Sequence, residues 1–196
     1  MTDTRTPPAI LQTEVLHDGW SRFLEVKVRL EDGAEVDRYV EDHGKAIAVL
    51  AYDPERRTAL LVRQLRMGPL VAGEPDAYLL EVPAGIIEGE PPEAAAKREA
   101  MEEIGVRLRD LELCGVPFST AGVSTERIHL FLGAFTAADR VSAGGGLEGE
   151  HENIRVIERP LPDLLAQVLS GELRDLKTVA LTLILHARRP ELFAPV

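Results

Sequence analysis

The sequence has one cysteine, a shortage of positive charge and no long apolar run, and each shortage excludes a class of protein. The single Cys114 excludes an internal disulfide and is typical of a reducing compartment such as the cytosol. Lysine and arginine number 22 against 33 acidic residues, and the net charge of −11 argues against nucleic acid or an anionic membrane as partner. No apolar run could span a bilayer, and the N-terminus lacks the features of a signal peptide. We therefore expect a cytoplasmic protein.

The residues that are present are sufficient for one domain with an added segment. Apolar residues make up 45% of the 196, which is enough for a core. We expect residues 1–8 to be a disordered tail and residues 9–43 to form a small antiparallel sheet, in which Asp32 and Gly33 mark a hairpin turn. A sheet of this size is marginal alone in water, so it should pack against the main domain, residues 44–196, or against a second subunit.

One stretch, from Ala84 to Val106, has the strongest local pattern in the chain. A strand end and a glycine loop lead to Pro91 and Pro92, which suit a first helical turn because the missing N–H is harmless there. The following residues are alanine-rich and strongly helix-forming. Gly105 then supplies a C-terminal stop. The stretch is predicted to be a loop followed by one helix.

The predicted helix places carboxylates beside an apolar face. Glu99 and Glu103, four residues apart, lie along one edge of that face, and Glu102 lies one turn after Arg98, where the two can pair. Adjacent carboxylates at a buried edge need a counter-ion, and hard oxygen ligands suit Mg²⁺ or Mn²⁺. A lone pair of this kind is more often a solvated helix face, so the spacing alone leaves both interpretations open.

The complete stretch resembles the Nudix box, which reads Gly, five residues, Glu, seven residues, Arg-Glu, an aliphatic residue, any residue, Glu-Glu, any residue, Gly and an aliphatic residue. The chain fits this pattern from Glu90 to Val106, with the small Ala100 in the first aliphatic slot. Only four residues separate Gly85 from Glu90, so the loop is one residue short or Ala84 occupies the slot of the first glycine. The resemblance implies an α+β fold, the Nudix α/β/α sandwich with a mixed sheet.

The resemblance extends over most of the chain and implies hydrolysis of the diphosphate linkage of a nucleoside diphosphate sugar. The chain is similar to the branch that includes GDP-mannose hydrolases and ADP-ribose pyrophosphatases. Thr120-Ala121-Gly122 lacks the proline usual in the ADP-ribose enzymes, while residues 143–154 and 173–178 resemble the GDP-mannose hydrolases. GDP-mannose is therefore the first expectation and ADP-ribose the second. A non-catalytic binding module on the same fold is a third interpretation, against which stand the retained glutamates of the box.

Site residues follow from the resemblance by position. The metal ligands, for Mg²⁺ or Mn²⁺, are expected to be the Ala84 carbonyl, Glu99, Glu103 and Glu152, while the catalytic residues are expected to be Glu152 or Glu102 as base together with Arg98. The expected substrate contacts are Trp20, Arg38, Tyr39, Arg66, Gly85, Glu126 and Lys177, of which Arg66 and Lys177 would meet phosphate. Trp20 stands where tyrosine is expected and suits stacking on a base. The resemblance also implies a homodimer that exchanges the N-terminal sheet.

Overall fold

The computed structural model describes residues 6–146 and 153–194, and its first compact unit contains a three-stranded antiparallel sheet. The strands are β1 (Ala9–Asp18), β2 (Arg22–Arg29) and β3 (Glu35–Asp42), with β2 in the centre. At the predicted hairpin turn, Gly33 has a φ of 85° and its N–H donates to the Leu30 carbonyl at 3.0 Å. The unit comprises Met1–Lys45 and also Pro117–Ile128, which returns from later in the chain. Backbone bonds from Glu41 to Val123 and from Thr125 to Glu41 fix that segment to β3.

The side chains of this sheet are largely exposed. Along β1 only Ala9 is even partly buried, and Val26 on β2 is the one fully buried apolar side chain among the described residues of the three strands. Ile10 and Trp20 are 69% and 79% exposed. Exposed apolar side chains that form a contiguous patch often mark an interaction site.

The second unit, Ala46–Val116 with His129–Val196, contains the larger sheet. Within the described residues its strands are β4 (Lys45–Asp53), β5 (Thr58–Leu65), β6 (Tyr78–Glu81), β7 (Ala84–Ile86), β8 (Glu112–Gly115), β9 (Arg127–Ala134) and β10 (Arg155–Pro160). Their order is β10-β5-β4-β9-β8, with β6 paired to β5 and β7 paired to β4. The Phe135 N–H bonds to the Tyr52 carbonyl, and the His129 ring lies against the Ala46 carbonyl. From the contact of His129 with Ala46 to that of Phe135 with Tyr52, the residue numbers increase on both strands. Strands β4 and β9 therefore run parallel, and the sheet is mixed.

Helices complete the second unit. They are α1 (Met67–Val71), α2 (Pro92–Ile104), α3 (Leu161–Ser170) and α4 (Leu176–Arg188), together with short 3₁₀ helices at Ala137–Asp139 and Pro190–Phe193. The short α1 is an element that the sequence pattern does not predict. The remaining elements agree with the predicted α+β Nudix fold, so the fold class is confirmed.

One hydrophobic cluster of the core lies between the sheet and α2. Strand β4 is buried throughout after Lys45, as its continuous apolar run predicts for a strand covered on both faces. Ile47, Val49 and Ala51 on alternate positions pack with Ala96 and Ala100 of α2. Small alanine side chains let the helix approach the sheet closely. Helix α2 is therefore fixed over β4, with its glutamates at the edge of that contact.

A glycine segment from later in the chain holds the C-terminal end of α2. Gly105 has a φ of 68°, the left-handed conformation that ends a helix. The Gly145 N–H then donates to the Glu103 carbonyl at 2.9 Å, and the Gly146 N–H donates to the Glu102 carbonyl at 3.1 Å. A Cβ on Gly144 would lie 2.4 Å from the Glu103 carbonyl oxygen. The low-complexity sequence Ala-Gly-Gly-Gly thus satisfies carbonyls that a helix C-terminus leaves without partners.

Gly105→Ala should destabilise the protein more than Gly171→Ala, although both glycines end a helix in the left-handed conformation. Forcing alanine into that conformation costs about 1–2 kcal/mol at either site. At Gly105 the new Cβ would also lie 2.3 Å from the Ser142 carbonyl oxygen, whereas nothing lies within 4 Å at Gly171. We expect an additional loss of about 1–3 kcal/mol for Gly105→Ala, measured by urea unfolding. Equal losses would contradict the close approach of residue 142.

Candidate active site

The short strand β7 and helix α2 bring together the predicted metal ligands of the box. The Ala84 N–H donates to Oε2 of Glu103 at 3.2 Å, and Glu103 is only 3% exposed. A Cβ on Gly85 would lie 1.9 Å from Oε1 of Glu99. The Glu99 carboxylate therefore occupies the space that any larger residue at position 85 would fill. Two carboxylates from successive turns of α2 converge on one backbone segment, residues 84–85.

Arg98 links most of the remaining box residues. Its Nη1 donates to Glu99 at 2.8 Å and to Glu102 at 3.0 Å, while its Nη2 donates to Glu90 at 2.9 Å and to the Ile86 carbonyl at 3.3 Å. The predicted pairing of Arg98 with Glu102 is therefore present. Partial burial lowers the pKa of Arg98, but its carboxylate partners outweigh that effect and raise it. Arg98 thus remains charged and fixes the orientation of the carboxylates around it.

Arg66 and Lys177 meet at a buried carboxylate, Glu81, that the sequence analysis does not single out. Glu81 is 1% exposed. The Arg66 Nε and Nη2 donate to its two oxygens at 2.7 and 2.8 Å, and the Lys177 Nζ donates to Oε2 at 2.5 Å. Lys177 also donates to Asp175 at 2.7 Å. The available signal was an acidic residue within the otherwise apolar sequence of residues 78–82.

Glu81, Arg66, Lys177 and Asp175 form a cluster in which opposite charges stabilise each other. Burial alone would raise the pKa of Glu81, but hydrogen bonds and charge from Arg66 and Lys177 outweigh it, and the pKa is lowered. Burial likewise disfavours the charged form of Lys177, yet Asp175 and Glu81 raise its pKa. Glu81, Lys177 and Arg66 are therefore charged at neutral pH, as buried ions are when they are paired.

The other predicted substrate residues lie in the first unit. The Trp20 ring meets the edge of the His43 ring with centroids 4.4 Å apart, and His43 Nδ1 lies 3.4 Å from Oε1 of Glu126. His43, which the sequence analysis does not single out, thus connects two predicted contacts. Tyr39 stacks on Phe23 at 5.9 Å. Arg38 is exposed and donates only to the Asp37 carbonyl among the bonds described.

Three of the four predicted metal ligands, Ala84, Glu99 and Glu103, lie among the described residues. In residues 6–146 and 153–194, no three His, Cys, Asp or Glu side chains form a group placed to hold a metal ion. The fourth predicted ligand, Glu152, lies outside the described residues. The donors that are described fit a hard divalent cation, because Glu99 and Glu103 supply oxygens beside residues 84–85 and Gly85 leaves room for one of them.

Comparison with known proteins identifies the family. The NUDIX domain model matches residues 42–181. The chain therefore belongs to the Nudix family, as the box predicts. Proteins named GDP-mannose pyrophosphatase are similar to it: one from Cronobacter sakazakii is 39% identical over 151 residues, covering 77% of this chain and 78% of that protein. One from Klebsiella pneumoniae is 34% identical over 176 residues, covering 88% of each.

Solved structures agree with the fold. A crystal structure of an ADP compounds hydrolase superposes with a TM-score of 0.76, covering 97% of this chain and 98% of the other, at 16% identity. At that identity the likeness concerns the fold alone. The family and the curated relatives confirm the predicted enzyme class, a Nudix pyrophosphohydrolase rather than a module without activity. No helix among the described residues is long and apolar enough to cross a membrane.

Gly85→Ala should reduce activity far more than it reduces stability. The added Cβ would displace the Glu99 carboxylate, which lies 1.9 Å from its position, and an error of about 1 Å in a site costs about 100-fold in rate. Gly68→Ala is the matched control, because nothing lies within 4 Å of its Cβ. Initial rates and urea unfolding should be measured for both variants. Wild-type rates in Gly85→Ala would show that the position of Glu99 is unimportant.

Proposed function

We propose that this protein hydrolyses the diphosphate linkage of GDP-mannose, giving GMP and mannose 1-phosphate, with a divalent metal ion as cofactor. The observation that carries the proposal is the convergence of the Glu99 and Glu103 carboxylates on residues 84–85. The names of the curated relatives support the choice of substrate. The sequence of residues 143–154 and 173–178 supports the same choice by its resemblance to GDP-mannose hydrolases.

The residues that would hold Mg²⁺, or Mn²⁺, are the Ala84 carbonyl, Glu99, Glu103 and Glu152. Such an ion, when bound, offsets the charge that develops on phosphate oxygens during hydrolysis. Neighbouring carboxylates repel one another. Arg98 offsets part of this repulsion because it donates hydrogen bonds to Glu99 and Glu102. The carboxylates of the box are thereby held in position before the substrate arrives.

The remaining roles belong to the protein. Glu152 or Glu102 would accept a proton from the attacking water, since a carboxylate within reach of that water is the general base such a reaction needs. Arg66 and Lys177 would balance the phosphate charge. Trp20 would stack on the base, while Arg38, Tyr39 and Glu126 would contact the nucleotide or the sugar. No covalent intermediate on the protein is required.

Glu103→Gln should abolish metal-dependent turnover while leaving the fold intact. The substitution preserves the side-chain volume and an oxygen that can accept the Ala84 N–H, but it removes the negative charge that a metal ion requires. Glu93→Gln on the same helix is the control, because Glu93 is exposed and pairs only with Lys97 among the bonds described. Product formation at saturating Mg²⁺ and circular dichroism should be compared. Turnover near the wild-type level would contradict the assignment of Glu103 as a ligand.

The substrate preference can be measured by comparing GDP-mannose with ADP-ribose. We expect a higher kcat/KM for GDP-mannose than for ADP-ribose, whose products would be AMP and ribose 5-phosphate. A site built to hydrogen-bond one base leaves buried groups unpaired with the other, which can discriminate strongly. Both substrates should be assayed at the same Mg²⁺ concentration and pH, with the products identified. A clear preference for ADP-ribose would replace the first candidate by the second and leave the metal-site argument unchanged.

We further propose a homodimer in which the first sheet is exchanged. Support comes from its exposed apolar side chains, which include Ile10, Trp20, Phe23 and Tyr39. In such a dimer Trp20, Arg38 and Tyr39 could serve the site of the partner. Light scattering at micromolar concentration should give the mass of two chains, and a stable monomer under those conditions would exclude this assembly.

A further inference from the structure

We propose that Glu81 is a positioning residue that holds Arg66 and Lys177 in the orientation in which they bind the substrate diphosphate. This inference rests on the proposed function and assigns a role to a residue outside the Nudix box. Glu81 would not touch the substrate. It would act through the two cations, whose charges would otherwise repel each other and whose long side chains would otherwise be mobile.

The hydrogen bonds leave both cations with donors to spare. Arg66 uses Nε and one N–H of Nη2 for Glu81, so both N–H groups of Nη1 and one of Nη2 have no partner in these bonds. Lys177 uses two of its three N–H groups, for Glu81 and Asp175. The Arg66 side chain is 39% exposed although its carboxylate partner is 1% exposed. One edge of the guanidinium is thus fixed in the interior, and the rest of the group can reach a solvent-borne anion.

The cluster is anchored by two separate elements. Glu81 ends strand β6, and Asp175 caps α4 by accepting from the Thr178 N–H at 2.9 Å and from its hydroxyl at 2.5 Å. The Thr178 Oγ1 in turn accepts from the Val82 N–H at 2.8 Å. Each cation is therefore held by a side chain that is itself fixed. Orientation established before binding reduces the entropy lost when a ligand is bound.

Arg66 also interacts electrostatically with one carboxylate of the box, that of Glu103. Burial lowers the pKa of Arg66, while Glu81, and then the charges of Glu103 and Asp175, raise it. The charge of Glu103, a predicted metal ligand, therefore stabilises the charged form of Arg66. Glu81 and Asp175 together balance Arg66 and Lys177, so the cluster is neutral before a phosphate arrives. Loss of Glu81's charge would leave two cations against one carboxylate and remove the bidentate contact that sets the plane of the guanidinium.

The test is a mutant cycle with two measurements. Glu81→Gln should lower kcat/KM for GDP-mannose by about 10- to 100-fold, the scale expected when groups are misplaced, and should weaken GDP binding measured by calorimetry. In an Arg66→Met/Lys177→Met background the same substitution should cause no further loss, because the groups through which Glu81 acts are gone. Glu81→Asp keeps the charge and should recover part of both losses. Rates and affinities are corrected for the folded fraction of each variant.

A control and a second background keep the cycle decisive. Glu158→Gln is the matched control, since Glu158 also lies on a strand and pairs with arginine, Arg56 at 2.8 Å, but is outside the site, and its loss should leave both measurements unchanged. If the double background unfolds, Arg66→Met alone replaces it, and there the loss from Glu81→Gln should be smaller than in the wild type.

The possible outcomes separate this inference from the proposed function. Equal losses from Glu81→Gln in every background, or a Glu81→Gln enzyme with normal kcat/KM and GDP affinity, would overturn the positioning role. A wild-type protein that does not bind GDP would overturn it too. If the wild type fails to hydrolyse GDP-mannose, the proposed function fails, whereas the background-dependent loss of GDP binding would still support the role of Glu81.

Discussion

The structure around the site depends on one constraint: a carboxylate placed in or beside a protein interior must be paired. An unpaired buried ion is costly enough that it would take up a proton or destabilise the fold. Glu81 and Glu103 are almost completely buried, and Glu99 and Glu102 of α2 are partly buried. Arg98 forms ion pairs with Glu90, Glu99 and Glu102. Arg66 and Lys177 form ion pairs with Glu81. The cations are therefore structural as well as chemical components, and their positions follow from those of the acids.

Local signals in the sequence were sufficient for much of this arrangement. The helix of the box, its proline start, its glycine stop and the pairing of Arg98 with Glu102 all depend on residues within one or two turns of each other. The hairpin at Gly33 is equally local. Spacing on a helix also predicted that Glu99 and Glu103 share an edge. These features are encoded in consecutive residues, and short-range geometry therefore reveals them.

The contacts that the sequence did not reveal join residues that are distant along the chain. Glu81 meets Lys177 across 96 positions, and nothing local to either residue specifies the other. His43 reaches Glu126 because residues 117–128 return to the first unit, although the chain order placed that segment with the main domain. Arg66 was expected only as a phosphate contact, and its bond to a buried acid joins two residues that are not opposite each other, since β6 pairs Glu81 with Val62 of β5. The sequence spacing of Arg66 and Glu81 gives no sign of this bond.

The glycine segment at the end of α2 affects the rate at which backbone amide hydrogens exchange with solvent. Glycine-rich segments normally exchange their amide hydrogens with solvent quickly, because they seldom have fixed partners. Here the amides of Gly145 and Gly146 are bonded to carbonyls of the last turn of α2, so their hydrogens can exchange only when that turn opens. The slow-exchanging region should therefore continue past the helix into a stretch that composition alone would place among the fastest. Isotope exchange at these two glycines would consequently report the local opening of the very turn that carries Glu102 and Glu103.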